Sequence, residues 1–102
     1  MGKQSILQNE RSCYLCGKVI GLEKHHIFAG VANRPISENY GMWVYLCQSC
    51  HTGRNGAQYN KEKNLKLKRD AQKAFQDIYG KKLWMQLIRK DYLGWESEER
   101  KG

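Results

Sequence analysis

The stretch HHIFAGVANRPISENYGMWVYLCQSCHTGRN, residues 25–55, decides how this chain is read. It opens on the pair His25-His26 and closes on Cys47-Gln-Ser-Cys50-His51. All three histidines of the protein lie inside it, with two of its four cysteines. The other two, Cys13 and Cys16, stand just upstream. Metal-binding side chains gathered this tightly in a chain of 102 residues point to a fold built on metal. So short a chain can bury only a modest core, and a bound ion would add what the core cannot.

Working outward, Cys13-Tyr-Leu-Cys16-Gly17 has the form of a knuckle that turns two sulfurs toward one ion, with Gly17 free to take the tight backbone. Apolar residues from Val19 to Phe28, interrupted by Gly21, predict a hairpin or a bent strand carrying the histidine pair. Neighbouring side chains on a strand point to opposite faces, so His25 and His26 are expected to do different work. Residues 29–41 read as loop, with Pro35 restricting Arg34. Trp43 to Leu46 is a short strand. Gln48 to Asn55 follows as a short helix, stopped by Gly53 or Gly56. Residues 1–12 read as a flexible arm or short helix.

Beyond Gln58 the pattern changes. Leu65, Leu67, Ala71, Ala74, Phe75, Ile78 and Tyr79 recur at helical spacing and Gly80 stops them. A second helix is predicted from Lys81 to Tyr92, ended by Gly94. The expected fold class is α+β: a small zinc finger of treble-clef type followed by two C-terminal helices, one domain over 1–102, with its metal-bearing core at 13–56 and a basic helical extension at 57–93.

Formal charge is +8, and residues 57–93 carry ten Lys and Arg against four Asp and Glu. Such a balance suits a polyanion, although charge alone does not separate a nucleic-acid partner from a solvated helix surface. No apolar run approaches signal or membrane-span length, so a soluble, cytoplasmic protein without a membrane partner is expected. In that compartment paired cysteines serve as metal ligands more often than as a disulfide.

Cys13, Cys16, Cys47 and Cys50 together supply four thiolates, a set that suits one structural tetrahedral Zn²⁺. The alternative, a redox dithiol, would need one exposed pair rather than two. A helix starting at the second pair would favour thiolate through its free amides. If sulfur serves the zinc fully, three histidines are left clustered. They are then either ordinary side chains, a replacement ligand for a cysteine, or a second site.

His-His at a strand end, a loop, then Leu-Cys-x-x-Cys-His resembles the HNH endonuclease family, whose core is a ββα-metal finger, and in particular its short phage-type members. The likeness covers residues 13–56. It implies that His26 is the general base that deprotonates water, that His25 and His51 hold a catalytic divalent ion, and that Asn55 is a third position at that ion. Positions 51 and 55 fall one helical turn apart, which fits a shared ion. It further implies DNA as partner, Mg²⁺, Mn²⁺, Ni²⁺ or Zn²⁺ as catalytic cofactor beside the structural Zn²⁺, and products with 5′-phosphate and 3′-hydroxyl ends. The family's middle Asn, which braces the loop behind the base, would fall at Met42; Asn39 is the expected substitute. Arg34 and Arg54 flank the site and can grip phosphate, and Lys66 and Arg69 of the later helices add salt-sensitive affinity for DNA. Two rivals share the cysteines: a zinc-finger module that binds nucleic acid without catalysis, and a protein-interaction domain stapled by zinc.

Overall fold

The aromatic and β-branched run Trp43-Val44-Tyr45 favours the second of two strands. In the computed structural model, which describes residues 4–54 and 56–93, they are β1 (Leu22–His26) and β2 (Trp43–Cys47). They pair antiparallel, with His25 opposite Val44 and His26 opposite Trp43. The chain is α+β, its two-stranded sheet accompanied by helices. A single strand, β1, carries both histidines; the apolar Val19 and Ile20 before it stay exposed and form no first limb of a hairpin.

A two-stranded ribbon has two open edges, and an uncovered edge invites pairing with other chains. The second edge of β2 is covered by the N-terminal segment. Tyr14 N–H donates to Tyr45 O at 2.8 Å, Tyr45 N–H donates to Gln8 Oε1 at 2.7 Å, and Ser5 Oγ donates to Trp43 O at 2.6 Å. The segment read as a flexible arm is therefore docked along the sheet from Gln4 onward.

The loop expected over 29–41 contains a helix, α1 (Arg34–Tyr40). Pro35 sits in its first turn, where a missing N–H costs nothing and the fixed φ suits a helix. Gly41 ends it in the left-handed region at φ 73°, where the chain passes so close to Gln4 that a β-carbon would lie 2.3 Å from its carbonyl oxygen. The helix expected from Gln48 to Asn55 is one turn, α2 (Gln48–His51). Ala57 N–H donates back to Cys50 O at 2.7 Å, which folds the chain over the helix end.

Helix α3 (Lys61–Tyr79) starts where Asn60 Oδ1 accepts from Lys63 N–H at 3.0 Å. It buries Leu67, Ala71 and Phe75. Gly80 separates it from α4 (Lys81–Leu87), which ends short of the expected Tyr92. Two side-chain bonds pull the chain off the helical path: Trp84 Nε1–H donates to Lys90 O at 2.8 Å, and Tyr92 N–H donates to buried Gln72 Oε1 on α3 at 2.8 Å. Arg89 absorbs the turn at φ 64°. The predicted stop at Gly94 lies outside the described residues. Trp84 and Phe75 stack edge-on at the centre, ring centroids 5.5 Å apart, and Phe28 brings the end of the sheet unit into the same core. Among the described residues no helix is long and apolar enough to cross a membrane.

Candidate functional site

Backbone turns bring the two Cys-x-x-Cys pairs together. Gly17 N–H donates to Cys13 O at 2.8 Å and closes the knuckle, while Cys47 ends β2 and Cys50 lies in α2. The four sulfurs lie within 4.8 Å of one another, with Cys16 Sγ and Cys47 Sγ 3.6 Å apart. Zinc–sulfur bonds of about 2.3 Å in a tetrahedron place sulfurs roughly 3.8 Å apart. No disulfide joins them. The donor set and spacing fit a structural zinc.

Electrostatics agree. Burial pushes the Cys13 thiol up, but amides of Cys47, Cys16 and Leu15 outweigh it and bring the group down to about 6. Burial and the neighbouring sulfurs push Cys50 up to about 12. Four thiols this close cannot all ionise on their own charges; a divalent cation among them removes that conflict.

The histidines stay out of this cage. His25 and His51 meet each other instead, ring centroids 5.0 Å apart and planes at 68°. His25 Nε2 is buried and has no hydrogen-bond partner. Burial, then the charges of His51, His26 and Lys68, hold His25 down at about 4, so it stands neutral with a lone pair to offer at neutral pH. His51 is fixed from behind: Nδ1–H donates to Glu23 Oε1 at 2.8 Å. A carboxylate on Nδ1 leaves Nε2 as the free acceptor, the arrangement that orients ligating imidazoles. Metal–nitrogen bonds of about 2.1 Å would place two imidazoles sharing one ion with centroids roughly 5 Å apart.

His26 has a different partner, as its place on the strand suggested. Its Nε2–H donates to Glu38 Oε2 at 2.6 Å. Lys24 holds the other carboxylate oxygen at 2.7 Å, and these two contacts, Lys24 first, keep Glu38 below the usual carboxylate range. An ionised Glu38 only accepts, so His26 carries its proton on Nε2 and leaves Nδ1 basic.

Between these side chains lies a cleft of about 650 Å³. His25, His26 and His51 line it together with Lys24, Arg34 and Lys68, and among the described residues no acidic one does. It shares Lys24, His26 and Arg34 with a groove of about 780 Å³ on one side. On the other it shares Gln58, Asn64 and Lys68 with one of about 500 Å³ that reaches Tyr59, Lys61 and Lys90.

The remaining expected residues fall as follows. Arg34 lines the cleft; Arg54 is exposed and does not line it. Lys66 is paired with Asp70 at 2.7 Å, and Arg69 is half-buried on α3 outside the cleft lining. Asn55 lies outside the described residues. Asn39 is exposed on α1, and the brace assigned to it is made two residues earlier. Fully buried Ser37 donates through Oγ to Phe28 O at 2.7 Å and accepts from Phe28 N–H at 3.0 Å. A helix where the sequence suggested loop is the reason: it turns Ser37 inward and Asn39 out. Glu23, Glu38, Asn64 and Lys68 went unmarked in the sequence, where nothing distinguishes them from surface polar residues.

Among the described residues, the four cysteines are the only group of three or more His, Cys, Asp or Glu side chains close enough to hold one ion. His25 and His51 together offer two ring nitrogens, one short of that number. Comparison with protein-family models, with curated proteins and with solved structures finds no match in any of the three.

Proposed function

We propose that this protein is a metal-dependent DNA endonuclease of HNH type, its sheet and α2 forming a ββα-metal finger within a treble-clef zinc unit. The observation that carries this reading is the cleft in which three differently held imidazoles meet three cationic side chains, with no acidic side chain among the described residues of its lining. Phosphodiester hydrolysis needs a base for water and positive charge around phosphate.

His26 acts as the base. Its Nδ1 takes a proton from water whose oxygen forms the new bond to phosphorus; the P–O3′ bond breaks, and the 3′ oxygen keeps the electron pair and is protonated from solvent. Glu38 holds the tautomer and stabilises the imidazolium that forms, the part a carboxylate plays behind a catalytic histidine. Arg34 grips a phosphate oxygen. His25 and His51 would hold a divalent ion, which when bound supplies charge stabilisation at the phosphate and leaving oxygen. Asn39 has no part in this scheme.

A supercoiled-plasmid nicking assay in Mg²⁺, Mn²⁺ or Ni²⁺, with zinc content checked throughout, tests this. His26→Ala is expected to abolish cleavage while folding and DNA affinity persist. Undiminished cleavage by that variant would remove His26 from the reaction. The second reading is a zinc module that binds nucleic acid without cutting it; among the described residues no third His, Cys, Asp or Glu is placed to share an ion with both His25 and His51, which favours it. DNA binding without nicking under any divalent ion would select it.

A further inference from the structure

We propose, resting on the nuclease reading, that Lys68 of α3 contacts the scissile phosphate, so that the basic helix is a wall of the reaction centre rather than an accessory to it. Lys68 and Asn64 stand one turn apart on the same face of α3 and both line the histidine cleft.

Lys24, Lys66 and Lys81 each pair with a carboxylate at 2.7–2.9 Å. Among the described residues Lys68 has no carboxylate partner; Lys90 of the same groove has none either, but Lys90 is exposed and Lys68 is half-buried. Its Nζ lies 6.0 Å from the Phe28 ring centre and 5.8 Å from that of Tyr92, which confine the stem. A partly desolvated cation without a counter-ion is costly unless an anion completes it. Among the described residues no acidic group lines the cleft to serve as that anion, and Lys68 stands where the cleft opens into the Tyr59 and Lys90 groove. A phosphodiester threaded from Arg34 past the histidines toward Lys90 would meet Lys68 beside His25. Lys68 would stabilise charge on a non-bridging oxygen without transferring a proton.

Lys68→Met keeps the stem against Phe28 and Tyr92 and removes the charge. Lys68→Arg keeps the charge. Lys73→Met, on the exposed side of α3, controls for net charge. With melting curves confirming the fold, the single-turnover cleavage rate at saturating duplex DNA is expected to fall roughly 100-fold in Lys68→Met, with Kd changed less than about threefold, and to recover in part in Lys68→Arg. A Lys68→Met rate no lower than that of Lys73→Met would overturn the assignment. A wild-type protein that cuts nothing would sink the nuclease reading separately. The contact is then read by NMR. The Lys68 Cε–Hε resonance, assigned by its loss in Lys68→Met, should shift when a short duplex is added without divalent ion. A stationary Lys68 signal while other lysines shift would refute it.

Discussion

At the scale of single residues, tautomers and short bonds decide what the cleft can do. Glu38 on His26 Nε2 and Glu23 on His51 Nδ1 present opposite ring nitrogens, so one imidazole is left basic at Nδ1 and the other at Nε2. His25, buried and without a carboxylate, is kept neutral by its surroundings. The loop behind them depends on Ser37. Ser37→Ala deletes both bonds to the Phe28 backbone and leaves that buried N–H and C=O unsatisfied. A loss of about 1–3 kcal/mol is expected, read as a lower denaturant midpoint at unchanged m-value. Asn39→Ala, at an exposed position, should change stability by no more than about 0.5 kcal/mol. Equal effects of the two substitutions would return the brace to Asn39.

At the scale of elements, α3 links the core to the cleft. One face buries Leu67, Ala71 and Phe75, the last against Trp84, while Asn64 and Lys68, one turn apart, line the histidine cleft. Asn60 fixes where the helix begins. Asn60→Ala removes the side-chain acceptor for Lys63 N–H and should cost about 1 kcal/mol of global stability. It should also loosen the first turn of α3, which amide exchange at Lys63 and Asn64 would report. The pattern of apolar residues made α3 legible, because a 3.6-residue repeat is a local property of the chain. The same local rules misjudged α1, where Pro35 read as a loop former although it is equally at home in a first helical turn. They overran α4 because the Trp84 indole takes the Lys90 carbonyl and Gln72 of α3 takes the Tyr92 amide, bonds to which apolar periodicity is blind.

At the scale of the whole molecule, two sources of cohesion serve different parts. The aromatic core around Trp84 and Phe75 holds α3 and α4, and the cysteine cage ties the N-terminal knuckle to β2 and α2. Zinc binding to four cysteines contributes folding free energy directly. Stripping the ion with a strong chelator is therefore expected to lower the melting temperature and to release one zinc per cysteine cage. Amides of β1 and β2 should lose exchange protection before those of α3. Uniform loss across both parts would mean that the two units fold only together.

Two cysteine pairs with the spacing of metal ligands, the clustering of histidines, the short strand before the second pair and the long amphipathic helix were all legible in the order of residues. Each is written in spacings of a few residues, where bond geometry and helical repeat act directly. Only the tertiary structure decided which carboxylate stands behind which imidazole, that Ser37 rather than Asn39 ties the loop, and that Lys68 faces the cleft. Those pairings join residues 12 and 28 positions apart, or on separate elements, and they follow from strand register and helix packing rather than from any local pattern.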